Sequence, residues 1–243
     1  MQISESRVRI NEIFTSIEGE GIYVGTKTLF VRLAGCHLKC RWCDTEYALA
    51  LDSGREYSLN EAKEIIENSI QPYTYKVNFT GGEPLLQDQA IIFLSKFLRN
   101  VKGLKTYLES SCFDSYRFSN VLPYIDICKI EFKSPDSGVT EPKNYNNLLR
   151  NEFECLELAT REKKTTFIKV VTTNLTSISW FKELIEVIFS RIKRSEISGF
   201  VIQPVYDMDE PTLEMLLNFY DITFPSYPEV RIIPQLHKEI CAR

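Results

Sequence analysis

Runs rich in β-branched and apolar residues recur at 28–34, 76–80, 105–110, 125–132, 166–172 and 199–205, and stretches of helical period fall between them. The helical stretches cover 58–70, 87–100, 146–161, 177–193 and 209–220. Ser58, with Glu61 three residues on, is a capping-box signature that sets the start of the first helix. This alternation constrains the fold more than any composition figure, because parallel strands joined by right-handed helical crossovers satisfy it most simply. Six strand–helix repeats fall short of the eight of a closed barrel. The expected fold is therefore α/β: a partial, incomplete β/α barrel of about six parallel strands, with an open doubly wound sheet as second choice. No Gly/Ser linker, low-complexity tract or internal repeat divides the 243 residues, so one domain over 1–243 is expected.

Sheets of this kind bind ligands at the carboxyl ends of their strands. Cys36, Cys40 and Cys43 follow the first run, and "TGGEP" (80–84) follows the second. Glu109 and Ser110 end the third, "KSP" (133–135) follows the fourth, and "QPV" (203–205) ends the sixth. The polar, chemistry-bearing residues thus gather at one rim.

Hydrophobic residues make up 44% and charged residues 26%, which is globular composition. A formal net charge of −4 weighs against a nucleic-acid partner. The basic clusters at 161–164 and 191–194 are read as solvated helix ends. The N-terminal stretch lacks the apolar core of a secretory signal, and no run of about 18 apolar residues could cross a membrane. A cytoplasmic protein without membrane partners is expected, and there thiols stay reduced. Seven cysteines, three of them within 36–43, then point to metal binding or catalysis rather than disulfides.

A C-x3-C-x2-C loop can fold three thiolates onto one metal centre, and soft sulfur selects zinc, copper(I) or an iron–sulfur cluster. A structural zinc would take a fourth ligand; His37, adjacent to Cys36, is badly placed to share the metal, and there is no second C-x2-C. Cys112, Cys128, Cys155 and Cys241 each stand in or beside apolar runs, as buried structural cysteines do. What remains is a cubane cluster held by three cysteines, with one iron open to a ligand. Gly81 and Gly82 lack Cβ and let backbone approach a ligand closely, and Glu83 can accept from an ammonium. Alone, the same residues also make a strand-to-helix turn opened by Pro84. The non-enzymatic alternative is a zinc-stabilised binding module.

The three-cysteine loop, with an aromatic before its last cysteine and "TGGEP" about forty residues on, resembles the radical S-adenosylmethionine (SAM) superfamily. The stretch "IFTSIEGEGIYVGTKTLFVRLAGCHLKCRWCDTEY" (13–47) and "RIIPQLH" (231–237) resemble the 7-carboxy-7-deazaguanine synthase family within it. The resemblance implies conversion of 6-carboxy-5,6,7,8-tetrahydropterin to 7-carboxy-7-deazaguanine with loss of ammonia, on the 7-deazapurine path to queuosine or archaeosine in tRNA. It implies a 4Fe-4S cluster, SAM and Mg²⁺ as cofactors, a flavodoxin- or ferredoxin-type electron donor, and a homodimer. A second reading keeps the cofactors but makes the chain an activating enzyme that generates a glycyl radical on a partner protein.

Carried over by the resemblance, Cys36, Cys40 and Cys43 hold the cluster, while Trp42, Cys43 and Asp44 line the SAM site. Gly82 and Glu83 meet its methionyl end, and Ser134, Pro135 and Asp136 lie against it, with a backbone contact expected at Asp136 because its charge faces a carboxylate. Ile17, Glu18 and Gly19 contact the pterin with Arg32 and Thr80 beside it, and Thr45 ligates Mg²⁺. Family members often carry Gln where Glu18 stands. Each assignment has a plainer alternative: a strand-face salt bridge for Arg32, a turn or cap for Thr45, a solvated hairpin turn for Glu18 and Glu20, a structural role for His237.

Overall fold

The computed structural model describes residues 6–240. The six expected strands are present as β2 (Lys27–Leu33), β4 (Lys76–Gly81), β5 (Lys105–Glu109), β6 (Ile127–Phe132), β7 (Thr165–Thr172) and β8 (Gly199–Pro204). These six are parallel to one another. The sheet has nine strands, because β1 (Arg7–Ile17) and β3 (Arg55–Ser58) add antiparallel strands at one side and the two-residue β9 (Arg231–Ile232) adds a parallel one at the other. The order β3-β1-β2-β4-β5-β6-β7-β8-β9 advances in one direction from β2 onward, with no reversal. A doubly wound sheet reverses at a switch point, so the partial barrel is the architecture formed.

Helices α1 (Leu59–Ser69), α2 (Asp88–Lys102), α4 (Pro142–Arg161), α5 (Ile178–Arg191) and α6 (Leu213–Thr223) occupy the expected stretches, with the short α3 (Ser115–Val121) and α7 (Leu236–Glu239) in addition. Ser58 caps α1 as the sequence predicts, its hydroxyl accepting from the Glu61 N–H at 3.2 Å while Glu61 accepts from the Ser58 N–H at 2.7 Å. The helices cover one face of the sheet. Alternate strand residues Leu29, Val31, Phe79, Leu108, Ile130, Phe132, Ile168, Val170, Phe200 and Ile202 point at them and make the main core. Cys112, Cys128 and Cys155 are buried within it as expected; Cys241 lies outside the described residues.

The other face is concave. Tyr107, Ile127, Phe167 and Val201, with Ile22, Tyr23 and Ile233, plug its lower end. Above the plug the inward positions become polar, and the wall opens at the carboxyl ends of the strands. Among the described residues no helix is long and apolar enough to cross a membrane.

Candidate active site

The cysteine loop leaves β2 and is pinned from both sides. Gly35 and Cys36 donate their N–H groups to the carbonyls of Ala48 and Leu49, both at 2.9 Å. Lys39 and Arg41 donate to Val139 and Ser137 at 3.3 and 3.0 Å, so the loop rests on the segment after β6. From the β4 side, a Cβ on Gly82 would lie 2.3 Å from the Gly35 oxygen and 2.9 Å from Cys36 Cβ. Gly81, at φ +143°, would drive a Cβ to 2.1 Å from the Leu33 oxygen. The glycine pair was expected to admit a ligand; the approach it permits here is of the chain to its own cysteine loop.

The donor set fits a cluster better than a single ion. Cys36, Cys40 and Cys43 line one cavity, yet the one group of potential ligand atoms within 4.8 Å of one another, among the described residues, is Glu20, Asp44 and His237. A lone tetrahedral zinc would hold its sulfurs roughly 3.8 Å apart, given bonds of about 2.3 Å. His37 packs against Phe113 instead, its ring centre 4.2 Å away and tilted by 58°. Burial pushes the Cys36 thiol up to about 11 and raises that of Cys40. Bound iron would supply the positive charge that keeps them as thiolates.

Glu83 is 1% exposed, and each of its oxygens accepts two hydrogen bonds. Oε1 takes the Leu85 N–H at 2.9 Å and the Ser110 hydroxyl at 2.8 Å; Oε2 takes the Ser111 N–H at 2.8 Å and its hydroxyl at 2.6 Å. A carboxylate has about four lone-pair sites, so this one ties the end of β4 to the segment after β5 and has none left for the expected ammonium. The strand-to-helix turn is also real: Pro84 opens a 3-10 turn that leads into α2.

Ile17, Glu18, Gly19, Arg32, Trp42, Asp44, Thr45, Thr80, Gly82 and Glu83 line the same cavity, whose open space is about 1210 Å³ counting its mouth. Ser134, Pro135 and Asp136 do not line it. Ser134 is fully buried with its hydroxyl unpartnered, and Asp136 turns its carboxylate to the Thr173 and Thr176 hydroxyls at 2.7 and 3.3 Å. The cysteine loop docks just past them, on Ser137 and Val139.

Arg32 makes the strand-face salt bridge and also lines the cavity. Nε donates to Glu12 at 2.7 Å, and the guanidinium lies 5.6 and 5.9 Å from the Phe14 and Tyr47 ring centres while facing the cavity. Thr45 sits before a 3-10 turn, and its hydroxyl caps nothing; it lies 3.8 Å from Cys43 Sγ. His237 packs on Gly19, where a Cβ would meet Nδ1 at 2.1 Å, and its Nε2 is 3.8 Å from Asp44.

Glu18 and Glu20 are no solvated hairpin. Glu18 is 2% exposed and accepts from Lys76 Nζ at 2.6 Å and Asn78 at 3.4 Å. Burial and the nearby Glu109 charge push it to about 7, against the pull of Lys76. Glu20 accepts from Lys169 and Gln235, both at 2.6 Å. Burial opposes its ionisation, but the Lys169 and Lys129 ammoniums hold it at about 2. Glu131, between Lys129 at 2.7 Å and Lys169 at 3.1 Å, is depressed well below the carboxylate range: burial is outweighed by Lys129, Lys133 and Lys169.

Sequence reasoning placed Glu109, Lys133 and Gln203 at the rim and Gln235 in a family segment, but missed the rest of this charged floor: Lys76, Asn78, Lys129, Glu131 and Lys169. The signal was present as polar residues at every second position, Lys76-Asn78-Thr80 on β4 and Lys129-Glu131-Lys133 along and just past β6. In a strand buried on both sides, such spacing marks the face that lines a polar cavity.

An incomplete parallel barrel with three thiols and a Gly-Gly-Glu turn at one rim defines the radical SAM class of enzymes. Residues 17–133 match a family model described as a 4Fe-4S single cluster domain. A 7-carboxy-7-deazaguanine synthase of Archaeoglobus fulgidus is 32% identical over 98% of this chain and 100% of its own length. One of Methanothermobacter thermautotrophicus is 29% identical over 98% of each. The crystal structure of QueE from Escherichia coli superposes with a TM-score of 0.65 at 20% identity, covering 95% of both chains, and so shares the fold. The chain belongs to the 7-carboxy-7-deazaguanine synthase family. A domain of a pyruvate-formate lyase-activating enzyme from Bacteroides vulgatus also shares the fold, with a TM-score of 0.51 at 17% identity over 65% of this chain and 98% of its own, which carries no function to this chain.

Proposed function

We propose that the protein converts 6-carboxy-5,6,7,8-tetrahydropterin to 7-carboxy-7-deazaguanine with release of ammonia. The observation that carries this is one cavity with three thiols at the rim and a floor of buried, ion-paired carboxylates and lysines behind them. When bound, the reduced 4Fe-4S cluster held by Cys36, Cys40 and Cys43 supplies the electron that splits SAM into a hydrogen-abstracting radical. The chain's own residues bind, orient and shield.

Arg32 offers its guanidinium to the pterin carboxylate. The Glu18 and Glu20 carboxylates accept from the N–H donors of the aminopyrimidinone edge, with Thr80 beside them. Lys76 and Lys169 hold those two acids in place from below. Glu18, poised near 7, holds or releases a proton at its carboxylate at working pH. Trp42, Asp44 and Gly82 border the SAM end of the cavity. Thr45 would hold Mg²⁺ through its uncommitted hydroxyl, with water and substrate completing the set, and Mg²⁺ supplies charge neutralisation at the substrate carboxylate. We further assign the enzyme to the cytoplasm, as a homodimer reduced by a flavodoxin- or ferredoxin-type donor, on the path to a tRNA 7-deazapurine.

The test is anaerobic turnover of the iron-reconstituted protein with SAM, reductant and the carboxypterin, reading 7-carboxy-7-deazaguanine and 5′-deoxyadenosine. Both are expected to form together. Equal 5′-deoxyadenosine with the pterin omitted would remove the substrate assignment, and protein that retains zinc without iron or sulfide would remove the class.

A further inference from the structure

Lys129, Glu131 and Lys133 alternate along β6 and just past it, so all three side chains face the cavity. Glu131 is one carboxylate among three ammoniums, bonded to Lys129, Lys133 and Lys169. Lys169 has a second acid in Glu20 at 2.6 Å, and Lys129 lies opposite Glu109 in the β5–β6 register. Lys133 has no second carboxylate. The other acid beside it, Glu152 of α4, accepts the Lys133 backbone N–H at 3.2 Å. Burial raises that carboxyl well above its usual range, and its Oε2 has no hydrogen-bond partner among the described residues.

The Lys133 side chain, 12% exposed, therefore shares one overcommitted carboxylate. The Glu131 carboxylate outweighs burial and keeps Lys133 charged, and because that carboxylate is shared the ammonium is left able to face a further anion in the cavity. The candidate anion is next to it. The cysteine loop docks on residues 137–139 through the Lys39 and Arg41 N–H groups. Cys40 and Lys133 line the same cavity, and the loop that carries Cys40 rests on the segment that directly follows Lys133.

We propose that Lys133 is the fixed counter-charge of the iron–sulfur cluster and raises its reduction potential. This rests on the cluster assigned above to Cys36, Cys40 and Cys43. Reduction adds a negative charge to a centre already anionic with three thiolates, and a neighbouring ammonium stabilises the reduced form more than the oxidised one. The ion pair with Glu131 keeps the ammonium in place at the cavity wall. The other carboxylate chemistry that would suit Lys133 is that of SAM or of the substrate, and the test separates the two.

The experiment is an EPR-monitored redox titration of reconstituted protein, with neither SAM nor pterin present, comparing wild type with Lys133→Met and Lys133→Arg. Iron and sulfide counts and melting temperature serve as controls. The midpoint is expected to move to more negative potential in Lys133→Met and to stay near wild type in Lys133→Arg. A cluster-loaded Lys133→Met with the wild-type midpoint overturns the proposal. So does an unchanged midpoint accompanied by weaker SAM or pterin binding in a separate equilibrium-binding measurement on the same variant, which assigns the ammonium to a ligand carboxylate. If Lys133→Met does not retain its cluster, Lys129→Met takes its place: a smaller shift of the same sign is expected, and none overturns the proposal. No pterin enters the titration, so a failed turnover assay leaves its result standing, and equal midpoints leave the turnover assay standing.

Discussion

Gly82 lies directly against Cys36: a methyl added at Gly82 would come within 2.9 Å of Cys36 Cβ and 2.3 Å of the Gly35 carbonyl. Such contacts are met only by moving the cysteine loop. Gly82→Ala is therefore expected to reduce iron loading sharply, with a stability loss of about 1–3 kcal/mol typical of overpacking. Iron and sulfide analysis beside thermal melts reads both effects. Normal loading in Gly82→Ala would mean that the loop has slack this packing does not suggest.

Glu83 is expected to matter before any cofactor arrives. Glu83→Gln keeps the shape but places an amide NH2 against donors from Ser111 or from Leu85 and Ser110. Losing charge-assisted bonds in a sealed site costs about 2–3 kcal/mol. Denaturant unfolding of the metal-free protein should show it. A change confined to SAM affinity, with stability intact, would restore the ammonium-acceptor role instead.

Glu18 gives a pH signature. Its carboxyl is raised from about 4.5 to about 7, so between those values the folded state binds more protons than the unfolded state and stability falls as pH rises. Glu20, held at about 2, acts lower: its contribution is complete above about 4.5 and is lost as pH falls through about 2. Melting temperatures from pH 5 to 8 should therefore decline more steeply in wild type than in Glu18→Gln. Parallel profiles would show that the Lys76 ion pair keeps Glu18 ionised throughout.

Arg32 binds Glu12 through Nε, so a lysine cannot both keep that bond and present a fork to the cavity. Arg32→Lys is expected to raise KM for the carboxypterin by about 10- to 100-fold, in keeping with roughly 1.4–2.8 kcal/mol for a lost charge-assisted bond. SAM binding should be untouched. Equal losses for both ligands would place Arg32 in loop architecture rather than substrate recognition.

Much of the scaffold was legible because its signals are local. Periodicity marked all six principal strands, and Ser58–Glu61 marked a helix start by a bond between neighbours in sequence. Strand β1 went unread because its inward and outward positions are nearly equally half-buried, leaving little alternation, and β3 is only four residues long. At the site, the cysteines could be read from their own spacing. The Lys76–Glu18 pair, 58 positions apart, and Gln235–Glu20, 215 apart, exist only once the sheet has folded. Ser134 to Asp136 stand at the expected strand end, but where each side chain turns is set by packing that no motif encodes: Asp136 bonds the Thr173 and Thr176 hydroxyls.

The central claim is that three sulfurs hold a cluster with one iron left for SAM. EPR of the dithionite-reduced, reconstituted protein, recorded before and after SAM is added, tests it most directly. The account predicts a 4Fe-4S signal whose g-values shift on SAM binding, and whose yield collapses when any one of Cys36, Cys40 or Cys43 is replaced by alanine. A spectrum unmoved by SAM, or a full cluster signal in one of those variants, would contradict it.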